Sequence, residues 1–244
     1  MAATTSARSS RPGPRAGFGL IGPRHRRHTL PVEELDALAL PIGDDGVVVG
    51  VDTEGRPAVL GLSRPTAYDI VLIGGLWTAQ VLALRAAATG VRVAVETGRP
   101  QAWERLTHAI ASQSGMTVHE VGRVPPLGPS AGEPVLVVRD CGMRPPRGRV
   151  VSAPWQAVLT LLPYVSPVAP RLIRQARLVG VQRVSPDEAE RVGRIMSLPP
   201  TERDTLSTLA DGVTLWCNDH DRSFTMTRAT DTETGLLGNA RRVD

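Results

Sequence analysis

The sequence predicts an α/β domain with a mostly parallel central sheet and β-hairpins at both ends. Three observations carry this. Residues 69–96, "DIVLIGGLWTAQVLALRAAATGVRVAVE", read as strand, glycine turn, helix, strand and acid, the opening βαβ unit of a Rossmann-like fold. Short apolar runs then alternate with helical patterns as far as residue 198, which favours parallel strands with helices on both faces. Paired β-rich runs stand at 46–62 and 212–228.

Composition bounds the possibilities. The chain has 244 residues, 41% hydrophobic and 21% charged, ordinary for a globular protein. No apolar run approaches the ~18 residues a membrane span needs. The start is Arg-rich without the apolar core of a secretory signal, so a cytoplasmic location is expected. Cys141 and Cys217 are too few for a disulfide framework or a four-thiolate zinc site. Lysine is absent; all 28 basic residues are Arg. Schiff-base chemistry and a Walker lysine on a phosphate are therefore excluded.

Charge is unevenly placed. Residues 1–28 hold Arg8, Arg11, Arg15, Arg24, Arg26 and Arg27 and no acid, and the rest carries 22 Arg against 24 acids, a balance of −2. The segment 1–28 is expected to be a disordered basic tail, and 29–244 a single α/β domain with its core at about 45–240. Each Arg near anionic lipid contributes roughly 1 kcal/mol, so the tail suits weak, salt-sensitive attachment to the inner membrane face. Aromatics make up 3% of the chain, which gives nucleic-acid bases little to stack on.

The elements follow in order. "PVEELDALAL" (31–40) suggests a short helix or turn, and "GVVVGVDTEGRPAVLGL" (46–62) a hairpin around Asp-Thr-Glu-Gly-Arg. Strand 69–73 leads into a helix at 76–89 that is apolar around most of its circumference. Such a helix packs on a sheet and is covered again. Strand 91–95, helix 100–115, strand 116–121 and a Pro- and Gly-rich loop follow. "PVLVVRD" (134–140) is a buried strand. "WQAVLTLL" (155–162) fits strand or helix, and its flanking prolines favour strand. A helical turn at 168–176 and a strand at 177–184 come next. "VSPDEAERVGRIMSL" (184–198) carries a Ser185 N-cap, Pro186 at N1 and Glu188 at N3, a capping box. A weak helix at 201–209 precedes two antiparallel strands, "GVTLWC" and "SFTMTR", and "TDTETGLLGNARRVD" (230–244) reads as a tail.

A dinucleotide fingerprint sets Gly-x-Gly-x-x-Gly between strand and helix, its second glycine letting the pyrophosphate approach. With the first at Gly74, followed by Gly75, the second falls on Leu76 and the third on Ala79. Leu76 is expected to fill the space the phosphate needs. Glu96 lies 22 residues after Gly74, where a ribose-binding acid sits. Asp140 ends a strand at the edge where open parallel sheets collect ligands, but Gly142 stands where a metal-binding Asp-x-Asp needs its second acid. The cofactor-binding candidates are thus Gly74, Gly75, Glu96 and Asp140, relevant only if a nucleotide binds; no cofactor is expected. "CNDHDR" (217–222) holds metal-ligand residue types at a spacing that fits a hairpin turn rather than zinc. No catalytic or metal residue is assigned, and the balance leans against an enzyme.

Three stretches together, "IGGLWTAQVLALRAAATGVRVAVETGRPQAW" (73–103), "APWQAVLTL" (153–161) and "LVGVQRVSPDEAERV" (178–192), resemble the cytoplasmic domain of EccE-type components of actinobacterial type VII (ESX) secretion systems. "VTLWCNDHDRSFTMTRATDTETGLLG" (213–238) is similar to that family's closing strand pair, with Glu233, Leu236 or Leu237, and Gly238 in its short end motif. The resemblance implies a degenerate glycosyltransferase-like α/β sandwich. It implies a non-catalytic subunit or adaptor at the cytoplasmic face of the membrane, bound to other type VII components. The family's two transmembrane helices have no counterpart here. The alternative is a nucleotide- or nucleotide-sugar-dependent enzyme on the same fold.

Overall fold

Ten strands join in one sheet, in the order β2-β1-β10-β9-β8-β3-β7-β6-β4-β5. The computed structural model describes residues 46–110, 115–143, 148, 150 and 153–240. The basic tail with Arg8, Arg11, Arg15, Arg24, Arg26 and Arg27, and the expected helix at 31–40, lie outside the described residues. The described residues form one compact unit.

The parallel part comprises β3 (Tyr68–Ile73), β4 (Arg92–Thr97), β5 (Met116–His119), β6 (Val135–Asp140), β7 (Gln156–Leu162) and β8 (Leu178–Val181). Every residue of β6, β7 and β8 is buried. That is why they read as mostly apolar runs rather than alternating ones. Strands β3 and β4 of the expected βαβ unit are parallel, with β7 and β6 between them.

The terminal hairpins are β1 (Val47–Asp52) with β2 (Pro57–Leu60), and β9 (Val213–Cys217) with β10 (Arg222–Met226). The sequence places them as flanks. In the structure β1 pairs antiparallel with β10, and β9 with β8, so both extend the central sheet.

Helices cover both faces. Helix α1 (Leu76–Ala88) lays Ala79, Leu82, Ala83 and Ala86 on one core, which it shares with Trp103 and Leu106. A 3-10 turn (Pro100–Trp103) runs into α2 (Glu104–Ile110) on that face. The opposite core holds α3 (Ala169–Gln175) and α4 (Pro186–Met196), with Ala169, Ile173, Ala189 and Val192 buried; α5 (Pro200–Thr205) packs on α4. The Ser185–Glu188 capping box of α4 forms in both directions, as the sequence predicts.

One helix is not anticipated. Residues Asp231–Leu237 form α6, capped by a second reciprocal box between Thr230 and Glu233. It covers the outer side of α1. Arg85 pairs with Glu233 at 2.7 Å and donates to the carbonyls of Val48 and Arg228, and the Trp77 indole donates to Gly238 O at 3.0 Å. The buried helix is therefore covered twice, as its composition requires.

Candidate functional site

Helix α1 follows β3 onto one face, whereas α3 follows the adjacent β7 onto the other. Where neighbouring strands send their chains to opposite faces, a crevice opens at the carboxyl ends. The Gly74–Gly75 turn sits there, with Gly74 N bonded to Leu162 O at 3.0 Å. Gly75 is the N-cap of α1 and offers no side-chain cap. The first N–H groups of such a helix need acceptors and favour anions.

The acceptor is Gln182, the residue after β8. Its Oε1 takes the Gly75 N–H at 2.8 Å, and its Nε2 donates to Thr78 Oγ1 at 2.7 Å and Thr214 Oγ1 at 3.2 Å. Its own N–H continues the ladder to Ile73 O at 2.9 Å. A Cβ on Gly74 would lie 2.7 Å from Gln182 Cδ, so Gly74 is glycine because this amide lies against it. Leu76, expected to fill the space a phosphate needs, opens α1, is partly buried and packs against the core. The Gly75 N–H at this helix start is thus already occupied by Gln182. The free space beside it, among Trp77, Arg183 and Asp211, is about 10 Å³.

The two acids of the opposite corner are also engaged. Register places Glu96 on β4 beside Arg139 on β6. The Arg139 guanidinium donates to both Glu96 oxygens, and the Gly122 N–H donates to Oε1 at 2.8 Å. With 1% of its surface exposed, Glu96 anchors the sheet rather than waiting for a ribose. The pair forms a polar wall of a cavity of about 430 Å³ whose other walls include Val124, Pro125, Leu127 and Gln156.

Asp140 has no exposed surface and accepts four donors. These are Thr97 Oγ1 at 3.2 Å, Arg99 Nε at 2.9 Å and Nη2 at 2.8 Å, and Trp103 Nε1 at 2.9 Å. They tie the end of β4 and the following 3-10 turn to β6. A third of the Arg99 side chain stays exposed at the sheet's carboxyl edge. The four cofactor candidates thus share one edge but form two separate corners.

The remaining candidates are structural. Burial foremost, with Glu96 adding to it, pushes the Cys141 thiol up to about 11; burial does the same for Cys217, also to about 11. Both stay protonated and weakly nucleophilic at neutral pH. In "CNDHDR" the Asn218 side chain accepts from His220 N at 2.8 Å and Asp221 N at 2.7 Å, which builds the β9–β10 turn. Among the described residues no group of His, Cys, Asp or Glu is arranged to hold a metal, and no helix is long and apolar enough to cross a membrane.

No family model matches the sequence, and no curated protein matches it. Solved structures do. VirB4 of Thermoanaerobacter pseudethanolicus superimposes with a TM-score of 0.57 at 11% identity, covering 80% of this chain and 100% of that one. The genome packaging NTPase B204 of Sulfolobus turreted icosahedral virus 2 matches at a TM-score of 0.48 in complex with ATP-gammaS, with 10% identity over 68% of this chain and 99% of that one. Its sulfate complex gives a TM-score of 0.49 at 10% identity over 68% and 98%. The expected non-catalytic type VII adaptor is thereby corrected: the fold is shared with VirB4, and the nucleotide-dependent alternative is taken up in its place. The chain is an α/β domain with a largely parallel sheet, similar in fold to VirB4.

Proposed function

We propose that this chain is a nucleotide-dependent enzyme domain on a VirB4-like fold, receiving the phosphate end of its ligand at the Gly74–Gly75 turn. One observation carries the reading. The N-terminus of α1, at the crevice between β3 and β7, has its Gly75 N–H satisfied by the amide oxygen of the side chain that follows β8. A phosphate oxygen is an acceptor of the same kind, so the two compete for one donor. Because the chain has no lysine, the phosphate charge is balanced by the helix dipole and by arginine.

Displacing Gln182 breaks its neutral hydrogen bonds, a cost of about 1–3 kcal/mol, or roughly tenfold or more in affinity. Binding is therefore weak in the native chain and tighter once Gln182 is removed. Calorimetric titration with ATP, ADP and GTP, with and without magnesium, tests this alongside a phosphate-release assay. The expected result is millimolar-range binding by the native chain and about tenfold tighter binding by Gln182→Ala. Absence of nucleotide binding by both proteins would overturn the proposal.

A further inference from the structure

We propose that the cleft between the β1–β2 and β9–β10 hairpins binds a small zwitterion of the α-amino-acid class, with its carboxylate on Arg64 and its ammonium on Asp221. This site lies at the amino-terminal ends of β3 and β8. Residue spacing along β3 puts it about 20 Å from the Gly74–Gly75 turn.

The cleft encloses about 180 Å³. At about 30 Å³ per water that is room for roughly six waters, the size of a free amino acid and below the ~300 Å³ of drug-sized sites. Its apolar side is formed by Val49, Leu60, Leu178 and Trp216. The Trp216 indole is fixed by a hydrogen bond to Thr225 Oγ1 at 3.1 Å.

The polar side holds two opposite charges that do not meet. Arg64 is fixed by Nε donating to Gly61 O at 2.9 Å and by its guanidinium lying 4.6 Å from the centre of the Tyr68 ring. These contacts hold the planar fork and leave both terminal nitrogens without a described partner. Asp221 uses one oxygen on the Arg222 N–H at 2.9 Å and has no described cation partner. Both residues line one cleft without forming an ion pair. A ligand carrying separated carboxylate and ammonium groups satisfies both. A held guanidinium recognises carboxylate through two parallel N–H bonds. Ser223 and Tyr68 add hydroxyls to the rim. Burial, opposed by Arg64, raises the Tyr68 hydroxyl pKa, so it remains a donor.

The test is a thermal-shift screen of the full chain against the twenty amino acids at about 10 mM, followed by calorimetry of the strongest. Each is paired with its N-acetyl and amide derivatives, which remove one charge apiece. At least one free amino acid should raise Tm, with each derivative about fivefold weaker. Arg64→Ala and Asp221→Asn should each weaken it by about the same factor. Both side chains are exposed, so folding should persist; circular dichroism checks this, and Arg64→Gln serves if Arg64→Ala does not fold. No shift with any amino acid would overturn the proposal. So would derivatives that bind as tightly as the free form. Nucleotide titrations report on the other end of the sheet and leave this result unaffected.

Discussion

Two corners of the sheet's carboxyl edge are filled by the protein's own side chains, with opposite chemistry. At the β3–α1 corner a neutral amide, Gln182, holds a helix N-terminus. At the β4–β6 corner two carboxylates, Glu96 and Asp140, are locked to Arg139 and Arg99. An amide can trade its hydrogen bonds for those of an incoming anion at modest cost. A buried carboxylate cannot leave without stranding a cation, so the charged corner is architecture and the neutral one is where exchange is feasible.

The largest expected effect lies in the charged corner. Glu96→Ala removes the carboxylate paired with Arg139, whose side chain is 7% exposed, and should destabilise by about 3–5 kcal/mol. Replacing both partners, Glu96→Leu with Arg139→Met, should recover most of that loss. A double-mutant cycle by urea unfolding measures the coupling, and additive losses would contradict the pairing. Asp140→Ala should cost somewhat less, about 2–3 kcal/mol, because the Arg99 released by it is a third exposed and can rehydrate. For a domain this size that lowers Tm by roughly 4–12 °C in a thermal melt.

The neutral corner should respond differently. Gln182→Ala removes three neutral bonds and leaves the Gly75 N–H open, costing about 1–2 kcal/mol in stability while strengthening nucleotide binding. Loss of stability with no gain in binding would make this corner architecture too. NAD should bind no better than mononucleotides, since Glu96 is committed to Arg139; a micromolar Kd for NAD would break that inference.

The smallest effect calibrates the others. Burial raises the Glu233 carboxyl, but its bonds to Arg85 and Thr230 outweigh this and hold it below the ordinary 4.5. A depressed folded pKa means the contribution is present above the unfolded value and is lost as pH falls through the folded one. Native protein should thus lose stability on acidification below about pH 5. Glu233→Gln should lose less over that window, as read by Tm against pH.

Much of the layout is legible in the sequence because strands β6, β7 and β8 each carry a continuous apolar stretch and Ser185–Glu188 marks its helix. The segment 230–244 is instructive in the other direction. It reads as a tail, yet Thr230-x-x-Glu233 is the same capping signal and opens α6. The site is less legible. Glu96 has the ribose-acid spacing, but its partner Arg139 becomes a neighbour only because β4 pairs with β6. Gln182 carries no local signal at all. Its meaning comes from β8 lying beside β3, which sets its amide against Gly74.

The junction of β1 with β10 also bears on how the chain assembles. The Thr227 hydroxyl reaches Val49 O across 178 residues. At about 5–20 residues per second of synthesis, the N-terminal hairpin waits roughly 10–35 s for the strand that covers its inner edge. During that interval β1 presents an unpaired backbone edge, a template for association with other chains. Refolding of the intact chain should include a slow phase dominated by this late, non-local closure, and truncation before β10 should leave a species prone to aggregation.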